Sequence, residues 1–388
     1  MATDPQPSIG RLFLSFLRLG VTAFGGPAMV AYIRRMAVEQ KQWLDPDTFN
    51  DGVALCQTIP GATSMQTAAY VGLKTRGISG AAASFIGFGL PAFSLMMIFA
   101  ALYTSIHNLP IAVSAFSGLQ AIIVAIIANA TASFGKTTLK TWKSLVIGGI
   151  AAALFGFNVN PILVILLAAA VGLLLGDPKH APYQVRTAST QEKLYTKPLV
   201  LALLGAALGL LVLFLLDRNL FKLATLLMRI DLFAFGGGFA SVPLIFHEIV
   251  EARHWMDAPT LMNGIILGQV TPGPIVITAT FVGYLLAGAL GSVVSTFSIF
   301  FPSFVVLVGI APYFDRLRTS PSFNKAIQGV LGSFVGLLFT VTVRFGLDCH
   351  WDLAHIALAS IALVTLLLKV DILWVVVFGT IFSVLLFR

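Results

Sequence analysis

Charge is what this sequence has least of. Only 10% of its 388 residues are Asp, Glu, Lys or Arg, while 57% are hydrophobic and the mean hydropathy is +0.93. Soluble domains carry about 25% charged residues, so the deficit places the chain in a membrane. Cysteine is nearly absent too. Cys56 and Cys349 stand far apart without metal-ligand spacing, which excludes a disulfide framework and a redox motif. The first ten residues, MATDPQPSIG, lack a basic n-region. No cleavable signal or transit peptide is expected, and the first span should act as its own insertion signal. The net charge of +8 is modest and lies in loops, where it reports orientation and not nucleic-acid binding.

What is present is apolar sequence in long runs. Thirteen stretches stand out, at roughly 11–34, 48–73, 78–104, 112–134, 144–157, 160–176, 199–217, 223–247, 260–286, 291–312, 326–345, 354–368 and 371–387. Several suffice for a spanning helix of about 20 residues. The pairs 144–157/160–176 and 354–368/371–387 read as helical hairpins shorter than a full bilayer, jointed at Asn158-Val159-Asn160 and Lys369-Val370-Asp371. One long polar segment, 177–198, holds Lys179, Arg186, Lys193 and Lys197 and reads as a cytoplasmic linker.

The chain also states one unit twice. Phe24-Gly25-Gly26 returns as Phe235-Gly236-Gly237, 211 positions later, and Arg18, Gly72, Pro91 and Gly118 find Arg229, Gly283, Pro302 and Gly329 at the same offset. Gln57-Thr58-Ile59-Pro60-Gly61 matches Gln269-Val270-Thr271-Pro272-Gly273 one position out of step, as Trp43 matches Trp255. Residues of about 11–176 and 222–387 are therefore two repeats, giving the divisions 1–176, 177–198 (linker), 199–217 (linker helix) and 218–388. The basic residues invert between them. Lys74 and Arg76 lie in a connection whose counterpart near 285–291 has no charge, whereas Arg316, Arg318 and Lys325 lie where the first repeat has His107-Asn108. The positive-inside rule then sets the repeats upside down relative to each other, with 199–217 as the span that inversion requires. The expected fold class is an all-α polytopic membrane protein, two inverted-topology repeats with broken or re-entrant helices meeting near the midplane. In a chain this apolar, such doubling points to a transporter with its site at the repeat interface.

Each repeat interrupts its apolar runs twice, at Phe24-Gly25-Gly26-Pro27 and Pro60-Gly61, and at Phe235-Gly236-Gly237-Gly238 and Pro272-Gly273-Pro274. Such breaks free backbone groups, and in hydrocarbon they survive only against protein or a water-filled cavity. Half-helices starting there aim N–H groups at an anion. Glycine pairs also allow close helix packing. Gln57, Thr58, Gln66, Gln269 and Thr271 add amide and hydroxyl donors, which equally serve as glue between helices. Arg18 and Arg229 are matched cations that attract an anion or snorkel to the interface. Asp231, where the first repeat has Gly20, pairs with Arg229 or carries a coupling proton. Glu39 and Glu251, each four residues before a tryptophan, are coupling carboxylates or interfacial anchors.

Two near-motifs fall short. His247-Glu248-Ile249-Val250-Glu251 lacks the second histidine of a zincin. Ala130–Thr137 lacks the leading glycine of a phosphate loop and any soluble domain to complete a nucleotide site.

FLRLGVTAFGGP, QKQWLD, QTIPGATSMQTAAYVGLKTRGISGAAAS and LPAF in the first repeat, with MRIDLFAFGGGFASVPL, HWMD, GQVTPGPIVITATFVGYLLAGALGS and FPSF in the second, resemble the chromate ion transporter family in its long, two-domain form. The resemblance implies a secondary transporter that exports chromate across the cytoplasmic (inner) membrane and so confers resistance, with sulfate or a related oxyanion as a further ligand. It implies no catalytic residue, no metal and no cofactor. The expected partners are the oxyanion, the lipid bilayer and a second copy in a homodimer, with no nucleic acid. Two departures stand out: Pro60-Gly61-Ala62 where the family has Pro-Gly-Pro, and Arg where Lys is common before Phe-Gly-Gly. The rival from another class is an intramembrane enzyme acting on lipid-linked phosphate. Repetition of the polar groups in both halves favours transport.

Overall fold

Prolines and short polar side chains start many of the helices. Ser8, Asp45, Thr141, Asn160, Asp217, Asp352 and Asp371 each accept a hydrogen bond from a first-turn backbone N–H, satisfying a donor that the helix leaves free. Pro46, Pro110 and Pro161 follow such starts, where their missing N–H costs nothing. At Asp45 the Thr48 N–H and hydroxyl hold the carboxyl below its usual range.

The computed structural model describes residues 7–23, 28–176 and 196–387. In chain order the helices are α1 (Ile9–Thr22), α2 (Ala28–Arg34), α3 (Pro46–Thr58), α4 (Thr63–Ile106), α5 (Pro110–Thr138), α6 (Trp142–Gly156), α7 (Pro161–Leu175), α8 (Thr196–Leu216), α9 (Arg218–Phe233), α10 (Ser241–Phe246), α11 (Ala258–Val270), α12 (Thr278–Ile310), α13 (Phe314–Arg318), α14 (Pro321–Asp348), α15 (Leu353–Leu367) and α16 (Ile372–Leu386). No strand occurs among the described residues. Five segments, Thr63–Ile106, Pro110–Thr138, Thr196–Leu216, Ile275–Arg318 and Pro321–Asp348, are long and apolar enough to cross a bilayer. The protein is an all-α, multi-pass membrane protein.

Both repeats carry the same irregularities at matched positions. Wider π-type turns occupy Arg35–Gln40 and His247–Glu251; such turns concentrate at functional sites. α4 leaves helical geometry at Arg76 and Gly77 (φ 65°, ψ −152°), and α12 does so at Ala287 and Gly288 (φ 61°, ψ −152°). Gly72 then lies against Gly80, and Gly283 against Gly291, backbone to backbone. Each long helix is thus a short arm and a long arm folded together, and the stretches 48–73 and 260–286 divide at their Pro-Gly. The terminal hairpins turn at Asn158 (φ 62°) and Lys369 (φ 64°). Their helices have 15 residues each, about 22 Å long and shorter than a hydrocarbon core of about 30 Å.

The chain forms two compact units: Met1–Met97, Tyr183–Gly238 and Thr271–Ser320; and Ile98–Pro182, Phe239–Val270 and Pro321–Arg388. Each draws on both repeats. In the second, α5 of the first repeat packs on α15 and α16, and α14 of the second packs on α6 and α7. Small residues let the backbones touch: Gly118 donates to Ser383 Oγ at 3.0 Å, and Gly172 meets Gly329. In lipid this packing is what drives helices together. Of the polar segment read as a linker, 177–195 lies outside the described residues; α8 follows it, apolar and without a buried residue.

Candidate functional site

The two Pro-Gly breaks lie in the first unit. Gly61 has φ 115° and Gly273 φ 133°, backbone that only glycine adopts without strain. Both are closed in as well. A Cβ on Gly61 would overlap the Ser303 side chain, and one on Gly273 would stand 2.6 Å from the Ala92 Cβ. Ala92 and Ser303 are themselves matched, each following the proline inside its long helix, Pro91 or Pro302. Each break is therefore seated on the other repeat's proline-bearing helix.

The first break is the more polar. Gly61 N–H donates to Ala234 O at 2.9 Å. Gln66 Nε2 donates to Pro60 O at 2.6 Å and to Ser303 O at 3.3 Å; two carbonyl partners fix which way the amide faces. Asp231 Oδ2 accepts from Ser303 N–H at 2.7 Å. Gln66 and Asp231 are fully buried, yet Gln66 Oε1 and Asp231 Oδ1 have no partner among the described residues. Gly236 and Gly237 have φ 94° and 93°, and a Cβ on Gly237 would lie 3.3 Å from Thr63 Oγ1. The second repeat's glycine break thus approaches the start of the first repeat's short helical arm.

Of the residues singled out from sequence, Thr58, Pro60, Gly61, Gln66, Gln269, Thr271, Pro272, Gly273 and Asp231 are buried. Phe235, Gly236, Gly237 and Gly238 are half-buried, and Arg18, Gln57, Arg229 and Glu39 are exposed. Thr58 Oγ1 donates to Ala54 O at 2.6 Å within its own helix. Gln269, at the end of α11 in the second unit, has an Nε2 without a partner among the described residues. Phe24, Gly25 and Gly26 lie outside the described residues. Sequence reading missed Ser303 and Ala92; their signal was the shared frame of LPAF and FPSF.

In the second unit Glu251 is held on both sides. Arg344 Nη1 contacts its Oε1, and His247 Nδ1 lies 3.0 Å from its Oε2. Arg344 also donates to Phe155 O and Asn158 Oδ1, both at 2.7 Å. Together with His254, Asp257 and Asp348 the pair lines a pocket of about 660 Å³. Glu248 of the near-zincin pairs with Arg253. Ala130–Thr137 is continuous helix within α5, so it forms no phosphate-cradling loop.

A serine, a histidine and an aspartate do meet in this unit. His355 Nε2 lies 3.0 Å from Ser117 Oγ, and its Nδ1 2.8 Å from Asp352 Oδ1. Acyl transfer also needs donors for an oxyanion. Ser117 is mid-helix, and the next N–H, Gly118, is committed to Ser383. The trio ties α15 to α5.

The sequence profile of the chromate transporter family matches residues 10–173 and again 221–384. The chain belongs to the chromate transporter family. An uncharacterized transporter of Methanocaldococcus jannaschii is 43% identical over 98% of this chain and 95% of its own. A chromate transport protein of Cupriavidus metallidurans is 30% identical over 95% and 90%. A probable chromate transport protein of Synechococcus elongatus is 29% identical over 93% and 90%. No solved structure matches. The two profile matches coincide with the two repeats, and the family's members are transporters.

Proposed function

We propose that this protein is a secondary active transporter that exports chromate across the cytoplasmic membrane. The observation that carries the reading is the paired helix break. Two Pro-Gly turns, each in glycine-only backbone and each seated on the opposite repeat, interrupt helices inside an apolar chain. Family membership and the relatives named for chromate support the substrate. Around the first break, Thr58, Pro60, Gly61 and Gly236–Gly238 form the oxyanion path, with Gln66 bracing the turn through Pro60 O and Ser303 O, and Thr271, Pro272 and Gly273 form its counterpart at the second. The free N–H groups opening the helical arm at Thr63 suit a dianion. In the second unit Gln269 offers an amide donor of its own, and Arg18 and Arg229 raise the local anion concentration. The repeats are inverted, on the strength of the Lys/Arg distribution.

Labelled chromate and sulfate should be offered to inverted vesicles with and without a proton gradient. Gradient-dependent chromate uptake, without ATP, is expected; uptake strictly dependent on ATP sinks the secondary mechanism. Sulfate carried in preference to chromate moves the assignment to the sulfate reading. Orientation is read with single cysteines at Ser79 and Leu290, both exposed, and an impermeant thiol reagent. Labelling from opposite sides is expected, and labelling from one side rejects inversion.

A further inference from the structure

Burial at the first break leaves atoms of one kind unsatisfied. Gln66 Oε1 and Asp231 Oδ1 are both acceptors, on side chains 0% and 1% exposed. Both side chains are anchored on one residue, Asp231 on the Ser303 N–H and Gln66 on the Ser303 carbonyl. A buried acceptor left without a donor is costly, and what satisfies it is a donor or a cation. An oxyanion is excluded from these two atoms, because it would add a third acceptor.

We propose that Asp231 is the residue that carries the coupling proton, with Gln66 as its neighbouring acceptor. This rests on the transport reading above and names the ion that drives it. A proton is favoured over sodium, because a proton is satisfied by a single acceptor, whereas sodium takes several oxygen ligands and the unsatisfied side-chain oxygens at this break, among the described residues, are these two. In the transfer, an O–H bond forms at Oδ1 as a hydronium ion gives up its proton and leaves as water. On the opposite side the O–H bond breaks to water; nothing is oxidised or reduced.

The surroundings suit a single charge-carrying group. α12, which packs on α9, contains no Asp, Glu, Lys, Arg or His, and Tyr284 is its one titratable side chain. α8, also packed on α9, contributes only Lys197 in its first turn. The short arm of α4 that carries Gln66 holds Tyr70 and Lys74 and ends at Arg76, whose Nε donates to Pro7 O. On α9 itself Arg218, Lys222 and Arg229 are exposed. The first repeat cannot offer an equivalent. Gly20 takes the place of Asp231, and a Cβ there would stand 2.5 Å from Phe88 O and 3.2 Å from Pro91 Cγ. The helix contact that Asp231 spans with its side chain is closed in the first repeat by backbone. The arrangement thus supplies one proton site to two repeats.

The test uses the full-length protein in liposomes and in lipid nanodiscs. Asp231→Asn keeps an oxygen for the Ser303 N–H and removes the ionisable group. Wild type should accumulate chromate under a proton gradient. The variant should lose that accumulation while still exchanging labelled for unlabelled chromate with no gradient. Infrared difference spectra after a pH jump, recorded without chromate, should contain a carboxylic-acid carbonyl band that Asp231→Asn removes. Gln66→Met should shift the pH at which this band changes. The proposal is overturned by gradient-driven accumulation surviving in Asp231→Asn, by a band independent of Asp231, or by a sodium gradient at constant pH driving accumulation. Loss of exchange together with accumulation in a folded variant also overturns it, because Asp231 would then serve only as a brace for α12. A titrating band in a wild type that moves no chromate would instead reject the transport reading and leave the proton site standing.

Discussion

The two Pro-Gly breaks share a backbone and differ in what they face. Gly61 and Gly273 both take φ beyond 110° and both press on the residue after a matched proline. At Gly273 that residue is Ala92, and at Gly61 it is Ser303, whose N–H and carbonyl gather Asp231 and Gln66. The same contrast recurs elsewhere. Glu39 is exposed, whereas its counterpart Glu251 is clamped by Arg344 and His247, and Ser133 stands where the second repeat has Arg344. Duplication has preserved the steric frame, because a glycine turn or a glycine contact admits no substitute. Polar chemistry was free to diverge, and it did so both where the second repeat's α9 and α12 meet the first repeat's break and at the Glu251 clamp.

The harshest way to break the comparison is to add a methyl group at the turns. Gly61→Ala and Gly273→Ala each incur left-handed backbone strain of about 1–2 kcal/mol and overpacking of about 1–3 kcal/mol. Both should lower thermal stability and transport in purified protein. The seats predict a difference: Ser303→Gly should rescue Gly61→Ala more than it rescues Gly273→Ala. Equal rescue, or none, would show that the crossed packing at the two breaks is not what limits them.

A smaller effect separates the two glutamines. Gln269 is buried with an amide N–H unused, and Gln57 is exposed. A hydrogen bond to a charged group is worth about 1.5–3 kcal/mol when buried. Gln269→Ala should therefore weaken chromate binding by roughly ten- to a hundred-fold, and Gln57→Ala by much less. Equal losses measured by titration would restore symmetry between the repeats.

Much of this was legible in the sequence, for a physical reason. Glycine and proline at matched positions report backbone geometry directly, so the breaks, the terminal hairpins and the doubled unit could be read from spacing. Exposure could not. Arg18, Gln57 and Glu39 share residue type and spacing with their counterparts, and which face of a helix they occupy depends on neighbours that spacing does not name. Ser303 was hidden for a related reason. The shared frame of LPAF and FPSF marks its position, but one hydroxyl among the several in α12 does not stand out until its backbone is found bonded to Gln66 and Asp231. Hydropathy alone runs straight through 223–247, and it is the Phe-Gly-Gly within it that marks the interruption: α9 ends at Phe233 and α10 begins at Ser241.

The weakest expected effect belongs to the matched arginines. Arg18 and Arg229 are exposed on α1 and α9, so a charge there acts through solvent or headgroups and is screened beyond about 10 Å at 0.1 M salt. Such a charge changes how often an anion arrives more than how tightly it is held. Arg18→Ala and Arg229→Ala should each slow chromate uptake at low concentration by about two- to five-fold at low ionic strength. The deficit should vanish at high salt, with binding affinity at equilibrium little changed. The matched positions predict equal deficits. A loss of affinity that persists in high salt would instead place the arginine in direct contact with the anion, and a loss confined to Arg229 would add it to the functions held by the second repeat alone.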